Sequence, residues 1–139
     1  MAELREGAVR VTGVFASPEA CERVAGEPDT HRIAPDEAML LGDVPEDLEA
    51  TVLALDPDAL VLDVTDGWGL LELRGSDARE AFARISELEL PERGFVQGEV
   101  ARVGVRVLVE DDRLRLLVPA MWTEHVRERI LADAAELLR

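Results

Sequence analysis

Residues 60–88 constrain the fold more than any other stretch of this 139-residue chain. A β-rich run over 60–64 reaches Asp66 and Gly67. That pair turns a chain readily, because Asp hydrogen-bonds nearby backbone and Gly tolerates positive φ. Residues 70–74 then alternate apolar and charged side chains, the two-residue period of a strand with one buried face. Gly75 and Ser76 open a helix whose Ala78, Ala81, Phe82, Ile85 and Leu88 recur at i, i+3, i+4 and i+7. The unit is strand, turn, strand, helix.

The rest of the chain is placed around it. Residues 8–15 read as a first strand with Val9, Val11 and Phe15 on one face. Ser17, Pro18 and Glu19 form a helix start, with Ser as cap, Pro at the first helical position and an acid in the first turn. That helix ends near Gly26; a loop over 27–37 and a small apolar strand over 38–42 follow. Asp43 and Glu46 have capping-box spacing, predicting a helix that carries Val44, Leu48, Val52 and Leu55 and stops at Asp56 and Pro57. After Pro91 a loop through Gly94 and Gly98 leads into a hairpin. Val103, Val105, Val107 and Val109 share one of its faces, and residues 113–118 alternate again after the 110–112 turn. Pro119 leads into a last helix with an apolar stripe of Trp122, Val126, Ile130, Ala134, Leu137 and Leu138. The order β-α-β-α-β-β-α-β-β-α predicts one α+β domain over 1–139, a largely antiparallel sheet with helices packed on one face.

Charge narrows the partners. The net charge is −15, with 30 acids against 15 cations, every one an Arg. Such a surface repels phosphate backbones and anionic lipid, so nucleic acid and membrane are not expected partners. No apolar run approaches the roughly 18 residues of a membrane span, and the first residues lack the pattern of a signal peptide. A single Cys allows no internal disulfide, and the expected location is the cytoplasm. The absence of Lys and Tyr excludes Schiff-base chemistry, a phosphate-cradling Lys and a Tyr acid.

His31 and His125 have no Cys or carboxylate at zinc-ligand spacing, so no metal site is expected. Cys21 fits a small, semi-buried position, and Ser17 and Ser76 fit helix caps. Asp63 and Asp66 flank a turn; paired acids there either do acid–base work or accept turn hydrogen bonds. Arg102, Arg106, Arg113 and Arg115 fall on the hairpin face opposite the Val stripe. Guanidinium forks grip carboxylates, so this patch is a candidate for an anionic ligand or an acidic partner surface; the alternative is a solvated face neutralised by local acids. Trp122 is expected in the core, and Trp68, beside two glycines at a turn, as a contact residue. No complete catalytic set is present.

Four segments carry a family resemblance. Asp63-Val-Thr-Asp66, followed by Leu71-Glu-Leu-Arg-Gly-Ser-Asp-Ala-Arg79, is similar to the N-terminal motif of the glycine-cleavage aminomethyltransferase superfamily, with its folate-binding fold. There an Asp-apolar-Ser/Thr turn leads to a strand, then Gly-Pro-Asp-Ala and a helix. Residues 32–42 resemble the Gly-Pro-Asp-Glu-Trp-Leu-Leu segment of the sarcosine oxidase gamma subunit family within that superfamily. Residues 88–98 resemble that family's Leu-Asp-Leu-x-x-Arg-x-Phe-x-x-Gly loop, and residues 116–126 its last strand and helix. The resemblance implies part of the aminomethyltransferase fold and a non-catalytic accessory subunit of a heteromeric sarcosine oxidase-like flavoenzyme in one-carbon metabolism. It further implies larger subunits as partners, which would carry flavin and NAD, with tetrahydrofolate the one cofactor this chain could meet. Glu89 stands where the superfamily's enzymes use an Asp, and Ala38 where gamma subunits carry a Trp. Glu89 and Asp63 are the remaining candidates for catalysis; Phe95, in the downstream loop, joins Trp68 and the four arginines as ligand- or partner-binding candidates. The alternative function is a stand-alone domain binding a folate-like or other carboxylate ligand.

Overall fold

The computed structural model describes residues 1–139. Its strands are β1 (Ala2–Gly7), β2 (Val11–Phe15), β3 (Thr30–Ala34), β4 (Glu37–Leu41), β5 (Leu60–Asp63), β6 (Trp68–Gly75), β7 (Gly94–Val100), β8 (Val103–Val109) and β9 (Arg113–Pro119). Its helices are α1 (Pro18–Val24), α2 (Leu48–Leu55), α3 (Ala78–Ala83) and α4 (Thr123–Asp133). The chain divides into two compact units, Val9–Thr65 and the remainder, Met1–Ala8 with Asp66–Arg139. No helix is long and apolar enough to cross a membrane.

The larger unit is a five-stranded sheet in the order β1-β6-β9-β8-β7, antiparallel throughout. Alternation sends Leu71, Leu73, Val105, Val107, Leu114, Leu116 and Val118 to one face. There they meet Ala81 and Phe82 of α3 and Val126 and Ile130 of α4, all fully buried or nearly so. At about 25 cal/mol per Å² of apolar surface, this continuous layer is the main force holding the unit together. The smaller unit is a second antiparallel sheet, β3-β4-β2-β5. Val14, Ala38 and Leu40 pack beneath Ala20, Cys21 and Val24 of α1 and Leu48 and Val52 of α2. The class is α+β, built on two antiparallel sheets, each with its helices on one face.

Several local expectations are corrected. Residues 8–15 are not one strand: β1 ends at Gly7 and pairs with β6, while β2 starts at Val11 and pairs with β4 and β5. The capping box does not form, since α2 begins at Leu48 with Asp47 at its N-cap. Asp77, not Ser76, is the N-cap residue of α3. Ser17 does cap α1, accepting from the Ala20 N–H at 3.3 Å. The loop through Gly94 and Gly98 is β7, paired along its length with β8. Trp122 is not core but 47% exposed, because it precedes α4 in a 3-10 turn, and the buried part of the stripe starts at Val126.

Candidate functional site

The second face of the larger sheet gathers most of the predicted site residues. Trp68 lies opposite Pro119, Glu72 opposite Arg115, and Arg74 opposite Arg113 on β6 and β9. On β8, Arg106 lies opposite Leu117 and Leu108 opposite Arg115. Phe95 and Gln97 of β7 extend the row beside Leu108 and Arg106. Two-residue periodicity thus puts Trp68, Phe95, Arg106, Arg113 and Arg115 on one surface. Arg102 is not on it: it occupies the β7–β8 turn at φ 69° with its side chain exposed, so the predicted four-arginine patch has three members.

This face is an ion-pair chain rather than a bare cationic patch. Glu72 reaches Arg74 at 3.1 Å and Arg113 at 4.0 Å. Glu110 takes two contacts from Arg113, at 2.9 and 3.0 Å, and one from Arg115 at 2.9 Å. Burial lifts the Glu110 carboxyl, but hydrogen bonding from Arg113 and the charge of Arg115 outweigh it and hold it below the usual glutamate value. The same bond raises the Arg113 guanidinium. Arg106 lies over Trp68, its guanidinium carbon 4.2 Å from the ring centroid. The Nε–H groups of Arg113 and Arg115 are buried and carry no hydrogen-bond partner, an unpaired donor on each side chain. Chemically the surface offers guanidinium donors and an aromatic ring, and its carboxylates, Glu72 and Glu110, are engaged by arginines.

The two acid candidates sit elsewhere. Asp63, at the end of β5, accepts from the Thr65 N–H at 3.0 Å and hydroxyl at 2.6 Å, which lowers its carboxyl, and Arg10 stands 3.7 Å away. Thr65 in turn receives the Val11 N–H at 2.9 Å, so the Asp63–Thr65 turn closes β2 against β5. Glu89 is exposed in the loop between α3 and β7. Cys21 is fully buried, and burial raises its thiol. No group of three His, Cys, Asp or Glu is placed to hold a metal ion.

A second feature was not anticipated. Arg84, Arg102, His125 and Arg129 line a cleft of about 890 Å³ beside the β7–β8 turn. Its backbone is clamped twice, by the Ala101 N–H to the Ile85 carbonyl at 2.9 Å and by His125 Nε2 to the Ala101 carbonyl at 3.1 Å. The i, i+4 spacing of His125 and Arg129 on α4 was the one readable signal for it.

No protein-family model matches the sequence, and no curated protein sequence matches it. Solved structures do. The chain is similar to heterotetrameric sarcosine oxidase from Corynebacterium sp. U-96, at 20% identity and a TM-score of 0.79, over 97% of this chain and 84% of that one. It is also similar to the glycine cleavage system aminomethyltransferase T from Bartonella henselae, at 16% identity and a TM-score of 0.68, over 99% of this chain. It spans just under half of that second protein, 47% of its length. At these identities the likeness is one of fold: the chain has the fold of a sarcosine oxidase chain and of part of an aminomethyltransferase.

Proposed function

We propose that residues 1–139 act as one accessory subunit of a heteromeric, sarcosine oxidase-like flavoenzyme. The observation that carries this reading is mutual coverage: nearly all of this chain superposes on most of a chain from a heterotetrameric sarcosine oxidase, so the matched chain is little longer than this one. The residues agree with a supporting role. Asp63 is engaged in a turn, Glu89 is an exposed loop acid flanked by Glu87 and Glu92, and the arginine face is largely internally paired. Flavin and NAD then belong to the larger subunits, and the contribution of this chain is to complete their assembly in the cytoplasm. Tagged chain expressed in its own host is expected to co-purify with a large flavin-containing protein, seen by the visible absorbance of its flavin. A stable monomer with no flavoprotein attached would remove the reading.

A second reading is favoured by the gathering of Trp68, Arg106, Arg113 and Arg115 on one sheet face. In it the sheet face takes the carboxylate of a folate-like ligand, with Trp68 stacked alongside. Calorimetric titration with tetrahydrofolate tests this; absence of heat, or unchanged affinity in Arg115→Ala and Arg106→Ala, excludes it.

A further inference from the structure

The four-stranded sheet ends on β5, which has β2 as its one strand neighbour. The Val64 N–H donates to the Val11 carbonyl at 2.9 Å, and this fixes the phase of the ladder. Hydrogen-bonded and non-bonded couples alternate along an antiparallel pair. Leu62 and Leu60 therefore turn their backbone groups toward β2, while Val61 and Asp63 turn theirs to the open side. Edge strands are ordinarily blunted by shortness, a bulge, a proline or a charged side chain. β5 is short, at four residues, but it pairs with β2 without a register shift, contains no proline, and its one charge is the terminal Asp63, which suits a cationic neighbour. Val61 faces the helices of its unit. Leu60 and Leu62 point the other way and are 56% and 45% exposed; Phe15, opposite Leu60, is 36% exposed.

Acids predominate around this apolar strip, with Arg10, 3.7 Å from Asp63, the cation beside it. Asp36, Glu37 and Asp56 line a hollow of about 400 Å³ beside Phe15. Asp63 ends the strand, and Asp58 precedes it. Between Val9 and Thr65 the sequence has 13 acids against 3 arginines. A second copy of the chain would bring like charge to like charge. The occupant that fits is an extended segment with apolar residues at alternate positions and Arg or Lys between them. We propose that β5 is a docking edge that takes a basic β-segment of a larger partner subunit as a fifth strand. This names the contact surface for the accessory-subunit reading and rests on it.

Amide exchange of the full chain, read by NMR with a synthetic peptide of alternating Val and Lys as the probe, tests the edge chemistry directly. The Val61 and Asp63 amides are expected to exchange about fivefold more slowly with the peptide, and the Leu60 and Leu62 amides to stay unchanged. A Val–Glu peptide is expected to give no protection, and Leu62→Arg to abolish the effect with an unaltered melting temperature. No slowing with the Val–Lys peptide, or equal slowing with the Val–Glu one, overturns the proposal. A wild-type dimer that Leu62→Arg dissolves in sedimentation also overturns it, since a second copy then covers the edge. A host flavoprotein that binds wild type and Leu62→Arg alike overturns the docking edge and leaves the accessory-subunit reading standing. If wild type binds no flavoprotein, that reading fails, and the peptide arm by itself decides what β5 recognises.

Discussion

The guanidinium of Arg106 lies 4.2 Å from the centre of the Trp68 ring, tying β8 to β6 across the intervening β9. A cation over an indole face is worth about 0.5–2 kcal/mol, more as water is excluded. A double-mutant cycle of Arg106→Ala and Trp68→Ala in urea unfolding is expected to return a coupling of about 1 kcal/mol. Arg106→Lys keeps the charge but loses the plane that stacks on the ring, so it is expected to lose part of that coupling. Strictly additive single losses would show that ring and guanidinium do not meet in solution.

Glu110 links Arg113 and Arg115, and its folded carboxyl lies below the usual glutamate value. A depressed acid stabilises the fold above its unfolded pKa, and the contribution disappears as pH falls through the folded value. Glu110→Gln is expected to cost about 1 kcal/mol or less at neutral pH, because the site is partly solvated. As pH falls through that folded value, the wild-type and variant stabilities are expected to converge. Urea unfolding across the acid range measures this. Parallel curves for the two proteins would mean that the ion pairs contribute nothing.

The parts of the fold legible in the sequence are those with a local period. Val103 to Val109 alternate, and β8 buries those valines. Val126, Ile130 and Ala134 recur at helical spacing, and all three are buried, the first two in α4 and Ala134 at its C-cap. β7 was illegible because its glycines look like loop punctuation. Gly98 is there for another reason: a Cβ on it would come within 2.7 Å of the Leu88 side chain that packs over the strand. The site was half legible. Which face Arg106, Arg113 and Arg115 take follows from period two, but the Arg106–Trp68 contact needs the strand order β6-β9-β8, which no local pattern encodes. The same holds for β5. Leu60, Val61 and Leu62 read as a core run, and only the sheet order reveals that they form an edge.

The β7–β8 hairpin turns on Ala101 and Arg102, at φ 50° and 69°. Two-residue hairpin loops favour positive φ, and Asn-Gly is the pair that adopts it cheaply. An L residue in this region costs roughly 1–2 kcal/mol, so Arg102→Gly is expected to stabilise the protein by about 0.5–1 kcal/mol after the added unfolded-chain entropy. Glu99→Gly, in the strand next to the turn, is expected to lose stability instead. Urea midpoints of the two variants measure the difference. If both lose stability, the Arg102 side chain contributes something that outweighs its backbone strain.

Gly69 of β6 faces Thr123, the first residue of α4, at close range. A Cβ at this position would lie 2.2 Å from Thr123 Oγ1 and 2.9 Å from Thr123 Cβ, at the first turn of the helix. Neither neighbour can yield without moving the helix, whose Val126 and Ile130 are fully buried against the strands. Gly69→Ala is therefore expected to destabilise by about 1–3 kcal/mol, the usual cost of overpacking. Thr123→Ala removes the hydroxyl and methyl that sit in the way, so the Gly69→Ala, Thr123→Ala double variant is expected to recover part of the loss. Thermal melting of the three variants measures this. A Gly69→Ala protein that melts with the wild type would mean that α4 does not rest on β6 at Thr123, and that the stripe from Val126 onward alone holds the helix in place.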